Sequence, residues 1–155
     1  MRAFYPLLIA IAALWAMPKN AHAQLYVTQI PSPPSTIGVV GKYDAKTGAA
    51  ISPSFITGLN LPAGLALLGN TLFVANRTSG TIGEYDATTG AVIDANLITG
   101  LNLPDGLAVL GNKLFVSNKG SGIVGEYNAK TGDVINASFI TGLNEPLGLA
   151  VKSAK

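Results

Sequence analysis

Cysteine is absent from the chain, and histidine occurs once, at His22. Without cysteine no disulfide can staple the fold, so a packed core must hold it. Charge is sparse as well: Asp, Glu, Lys and Arg make up 12% of the residues. No basic stripe is available to grip a phosphate backbone, which argues against electrostatic nucleic-acid binding. Long hydrophobic runs are scarce. The longest, "AFYPLLIAIAALWAM" at Ala3–Met17, is interrupted by proline. It also falls short of the roughly 20 residues a membrane-spanning helix needs.

That run has another use. Arg2 precedes it, and "AHA" at Ala21–Ala23 offers small residues around a cleavage position. A basic start, a short apolar stretch and a small-x-small site define a secretory signal peptide. Residues 1–23 are therefore expected to be removed before Gln24, giving a secreted or periplasmic protein with no membrane attachment; the alternative is an uncleaved anchor. Processing would remove Arg2, Lys19, His22 and the one tryptophan, Trp15. It leaves 132 residues with eight basic and eight acidic side chains, a net charge of zero. A chain lacking both histidine and cysteine excludes Ser-His-Asp and Cys-His catalysis. It also lacks the usual zinc and copper ligands. No cofactor is expected, and any metal would be a hard, Ca²⁺-like cation held by oxygen.

What the sequence has in place of these is repetition. "VGKYDAKTGAAISPSFITGLNLPAGLAL" begins at Val40, "IGEYDATTGAVIDANLITGLNLPDGLAV" at Ile82 and "VGEYNAKTGDVINASFITGLNEPLGLAV" at Val124. The period is 42 residues, and 19 of 29 positions are identical between 82–110 and 124–152. A period of this length marks a repeat architecture. Each copy holds four short runs rich in β-formers. In one copy they are "GLAVLG" (Gly106–Gly111), "KLFVSN" (Lys113–Asn118), "IVGEYNA" (Ile123–Ala129) and "VINASFI" (Val134–Ile140). Gly-Asn turns and Asx-opened, Gly-closed turns ("DAKTG", "DATTG", "NAKTG") separate them. In "LFVAN", Leu72 and Val74 face one way and Phe73 and Ala75 the other, so this strand is buried on both sides. The third run is mixed, with tyrosines (Tyr85, Tyr127) on one face and glutamates (Glu84, Glu126) on the other; the fourth is more polar. Antiparallel four-stranded sheets graded from buried to exposed are what a radial, face-on-face stack requires: an all-β, propeller-type blade.

The stretch "PDGLAVLGNKLFVSNKGSGIVGEYNAKTG" resembles the NHL-type propeller repeat. It is also similar to SMP-30/gluconolactonase-like and YncE-like propellers, and the likeness covers nearly all of residues 24–155. On this reading one blade spans 25–57 plus 146–151, and two complete blades span 62–99 and 104–141. "LYVTQ" (Leu25–Gln29) opens as the second strand of a blade, and "PLGLAVKSAK" ends as a lone first strand. Three blades are fewer than the four to eight of closed propellers. Three outcomes are open: a homodimer completing a six-bladed ring, a truncated fragment of a longer propeller protein, and a distorted closed monomer.

Strand alternation sends the connections before strand one and after strand two to one rim. The candidate binding residues there are Asn76, Arg77, Asp105, Asn118, Lys119 and Glu145, beside Asn60, Asn102 and Asn144. Lactonase-like relatives hold a divalent cation with oxygen ligands from several blades, as the resemblance implies. Here Ala63 and Leu147 replace Asp105 in the other copies. The expected roles are Asx caps of the following turn for Asn76 and Asn118, solvated loop charges for Asp105, Glu145, Arg77 and Lys119, and blade packing for Tyr43, Tyr85 and Tyr127. The function expected is a non-catalytic binding or scaffold module for a protein or glycan, leaning away from an enzyme. The alternative is a metal-dependent SMP-30/gluconolactonase-like hydrolase.

Overall fold

A computed structural model of the chain describes residues 22–30, 32 and 34–154. The expected signal peptide therefore lies, but for residues 22 and 23, outside the described residues. Eleven strands and no helix occur among them. The first sheet contains β1 (Gln24–Gln29), β2 (Ile37–Asp44) and β3 (Ala50–Asn60). The second runs in order through β4 (Pro62–Leu68), β5 (Thr71–Asn76), β6 (Thr81–Asp86) and β7 (Val92–Ile98). The third repeats that order with β8 (Pro104–Leu110), β9 (Lys113–Asn118), β10 (Ile123–Asn128) and β11 (Val134–Ile140). All pairings are antiparallel. The protein is thus all-β, in three antiparallel sheets of three or four strands.

The turns follow from local chemistry. Leu68 pairs with Thr71, leaving a two-residue loop whose first residue, Gly69, has φ 59°. A type II′ hairpin needs this conformation at that position, and glycine adopts it without a Cβ clash. After β6, the Asp86 carboxylate accepts the N–H groups of Thr88 at 2.9 Å and Thr89 at 2.7 Å. Asp44 and Asn128 do the same for Lys46 and Thr47, and for Lys130 and Thr131. An amide serves as well as a carboxylate because both offer an acceptor oxygen. Register shifts between the last two strands of each sheet bend the outer strand away from the ladder.

Alternation then builds the stack. From β5, Leu72 and Val74 join Tyr85 and Ala87 against Val40, Ile56 and Leu59 of the first sheet. Phe73 and Ala75 point the other way, with Ile82 and Ile98, against Leu107, Leu114, Val116 and Tyr127 of the third. Each fully buried large apolar side chain contributes roughly 1.5–3 kcal/mol relative to exposure. The outermost strands lie in solvent: every residue of β11 is exposed, as are five of the seven residues of β7.

The inner strands meet backbone to backbone. A Cβ built on Gly64 of β4 would fall on the Asp105 carbonyl oxygen and lie 3.0 Å from Gly106 Cα and Leu107 N. Glycine in the recurring "P-x-G-L-A" is therefore a requirement of close approach. A second glycine motif serves the tyrosines. A Cβ on Gly83 would come 2.7 Å from Tyr85 Cε2, because the ring lies back across the residue two places before it.

One expectation differs from the structure, and one charged residue lies deeper than its neighbours' polarity suggests. Pro146–Val151, read as a strand, has no strand conformation, because no second strand pairs with it among the described residues. Glu126, placed by alternation on the face opposite Tyr127, is 4% exposed. Lys113, at the edge of the neighbouring β9, brings its ammonium 2.5 Å from the Glu126 carboxylate. The contact is ionic in character, since that oxygen satisfies no hydrogen-bond geometry.

Candidate functional site

The polar residues singled out in the sequence converge on one side of the stack, where β5 and β9 end and where β4 and β8 begin. Asn76 and Asn118 are each 5% exposed. Their side-chain oxygens accept the backbone N–H of Asn60 at 3.2 Å and of Asn102 at 3.3 Å. They therefore cap the connection entering strand one. The following turn, where their caps are expected, is closed instead by Gly80 N–H donating to Asn76 O and Gly122 N–H to Asn118 O, both at 3.0 Å, with the Ser79 and Ser121 hydroxyls donating to the same carbonyls. The same asparagines reach the Tyr85 and Tyr127 hydroxyls, while burial pushes both phenols above their ordinary value of 10.0. Gln29 takes this position in the first sheet and donates to the Tyr43 hydroxyl.

The charged candidates pair across sheets. The Arg77 guanidinium, following β5, reaches the Asp105 carboxylate on β8. Lys119, following β9, lies 3.5 Å from Glu145 in the C-terminal segment. Backbone links accompany them: Arg77 N–H donates to Leu61 O at 3.2 Å and Lys119 N–H to Leu103 O at 3.1 Å. Leu61, Leu103 and Glu145 recur at the 42-residue spacing, each before a proline, with φ of 50°, 51° and 44°. Non-glycine residues in this region cost of the order of 1–3 kcal/mol each, so the surrounding rim imposes the conformation. Asn144 is exposed in the last connection.

This rim is a set of ties between neighbouring sheets. No group of three or more His, Cys, Asp or Glu side chains comes together among the described residues. Asp105 and Asn118, the best oxygen donors, are committed to Arg77 and to Asn102 N–H.

One buried cation escaped the sequence reading. Lys42 on β2 is 5% exposed, and its ammonium donates to Ala87 O and Thr88 O, each at 3.1 Å. It sits 4.5 Å from the centre of the Phe55 ring. Matching positions in the other copies hold Glu84 and Glu126, so the repeat masks the change of sign. Glu84 has its carboxyl pushed up, first by burial and then by the charge of Asp94.

An apolar concavity lies on the outer face of the third sheet. It is about 320 Å³ and is lined by Ala108, Phe115, Val124, Phe139, Ile140 and Leu149, among others.

No protein-family model matches the chain, and no curated protein matches it. Similar solved structures include two computationally designed proteins. Ika8 superposes with a TM-score of 0.55 at 18% identity, over 81% of this chain and 39% of its own. Ika4 gives 0.54 at 16% identity, over 77% of this chain and 76% of its own. The chain thus spans about two fifths of the length of Ika8 and about three quarters of Ika4. Likeness at such identity speaks to fold alone, and the fold it supports is this stack of antiparallel sheets.

Proposed function

We propose that the three sheets are blades of a β-propeller of the NHL/SMP-30-like kind. The chain is exported after loss of residues 1–23 and serves as a non-catalytic binding or scaffold module for a protein or glycan. The observation that carries this reading is the engagement of the rim. The polar side chains that an enzyme would turn toward a substrate are instead engaged within the protein: Arg77 joins Asp105 of the next sheet, and Asn118 holds the connection entering its own sheet at Asn102. Four-stranded antiparallel sheets packed on both faces, with glycine-rich inner strands in backbone contact, support radial blades. A metal-dependent hydrolase would need several oxygen donors aimed into one space, and Asp105 is spent on a salt bridge.

Export and calcium binding test the reading. The protein recovered from the exported fraction should begin at Gln24. Its melting temperature should not move in millimolar calcium or magnesium. A ligand held only by the folded state raises that temperature, so a rise of several degrees would favour the hydrolase reading and overturn this one.

A further inference from the structure

The two ends of the stack expose the two halves of one interface. Where the second sheet meets the third, Phe73, Ile82 and Ile98 press on Leu114, Val116 and Tyr127, and all six are buried. The third sheet repeats the first set as Phe115, Val124 and Ile140, beside the apolar groove. Ile140 is 44% exposed where Ile98 is 4%. The first sheet repeats the second set as Leu25, Val27 and Tyr43. Leu25 is 51% exposed where Leu114 is 0%. The repeated faces are thus partly open at each end, where Ile140, Leu25 and Val27 are exposed while Val124 stays buried, and dry in the middle.

The backbone edges match in the same way. β1 is the edge of its sheet and lacks the inner strand that β4 and β8 give the other two. Pro146–Val151 is an inner segment without a sheet. Ser117 Oγ donates to Leu147 O at 2.5 Å, just as Thr28 Oγ1 donates to Ala63 O at 3.0 Å. A Cβ on Gly106 would fall on Leu147 O, as one on Gly64 would fall on Asp105 O. The segment therefore already lies where the inner strand of a following sheet belongs.

We propose that the outer face of the third sheet, with Pro146–Val151, binds the first sheet of a second copy of this chain, head to tail. Carrying the β4–β5 register forward by the repeat, Leu149 pairs with Val27 of the second copy, Ala150 with Tyr26 and Val151 with Leu25. The contact rests on the face match alone. The closure of two copies into six sheets rests in addition on the propeller reading, since closed propellers hold four to eight blades.

Because the chain is free of cysteine, cross-linking gives a clean test. Val27→Cys and Leu149→Cys are made as separate exported proteins, mixed and oxidised with glutathione disulfide. Directly opposed cysteines on paired strands lie within disulfide range. The mixture should give a linked heterodimer at least ten times faster than Val27→Cys mixed with the off-register Leu147→Cys. Equal rates overturn the contact. So does a native mass of one copy for the exported protein, whether residues 1–23 are absent or retained and filling the groove. Gly148→Ala adds a readout independent of cysteine. Its Cβ meets nothing within 4 Å in the single copy, but across the junction it would fall on Ala63 O of the second copy. Unfolding of the single copy should be unchanged while assembly is lost; unchanged assembly overturns the contact. Finally, the double variant Val27→Cys/Leu149→Cys separates the two claims. A closed, doubly linked pair supports both. A ladder of longer products keeps the contact and removes the six-sheet propeller. A link within one chain overturns the contact.

Discussion

Replacing Gly64 with alanine tests the stacking of the sheets at its tightest point. The added Cβ would fall on Asp105 O, with Gly106 Cα and Leu107 N both 3.0 Å away. All three are backbone atoms of the next inner strand, so no side chain can swing aside. Inserting a methyl group into a packed interior costs about 1–3 kcal/mol, and an unyielding neighbour puts this site at the upper end. Alanine also narrows the unfolded ensemble, which offsets about 0.4–1 kcal/mol. The net expectation is a loss of about 2 kcal/mol. For a chain of this size that corresponds to a fall in Tm of about 6–10 °C. Urea unfolding followed by circular dichroism reads it directly. The midpoint should drop with the slope unchanged, since the exposed surface is the same. A Gly64→Ala protein as stable as the parent would refute the backbone-to-backbone approach of β4 and β8.

Three further outcomes are expected. The Asp44 carboxyl is held down to about 2, first by the Thr47 N–H, with the Lys46 N–H and the His22 ring adding to the effect. Its folded value lies below the ordinary 3.8, so the unfolded chain binds more protons between the two values. The stability it contributes is full above about pH 4 and is lost as pH falls through about 2. Carbon-detected NMR titration of a chain that retains His22 should find that midpoint, and the processed chain should keep the downward direction; an unlowered midpoint in both would contradict the turn. Leu103→Gly relieves a φ of 51°. It should raise stability by up to about 1 kcal/mol in urea melts, after the greater unfolded freedom of glycine is subtracted; a clear loss would mean the backbone there is unstrained. Lys42→Met keeps the apolar stem but removes both donors to Ala87 O and Thr88 O. Ala87 O keeps the Tyr26 hydroxyl at 2.7 Å while Thr88 O loses its partner, so the cost should fall at the lower end of about 1–3 kcal/mol, and an unchanged urea midpoint would show the buried ammonium to be dispensable.

Much of this was legible in the repeat. Two-sided burial of β5 follows from apolar residues at every position of "LFVAN", and the Asx turns follow from Asp44, Asp86 and Asn128 opening them. The unread features share a cause: they depend on what lies across the gap between sheets. The sequence of β2 carries no sign that Lys42 meets carbonyls of the second sheet. Nor does "SNKG" reveal that Lys119 reaches Glu145 in the C-terminal segment. Pro146–Val151 has the composition of a strand but no neighbour to pair with, and composition cannot supply one. The likeness of the three copies also hides their differences. Lys42, Glu84 and Glu126 hold one position with opposite charges, and the rim acids Asp105 and Glu145 stand in different registers.

Residue-resolved amide hydrogen exchange on the exported protein tests the stack most directly. Amides of β5 and β9, which lie inside their sheets, should exchange slowest, at rates set by global unfolding, while β7 and β11 at the rim should exchange orders of magnitude faster. Equal protection of β11 and β9 would contradict sheets packed face on face with their fourth strands in water.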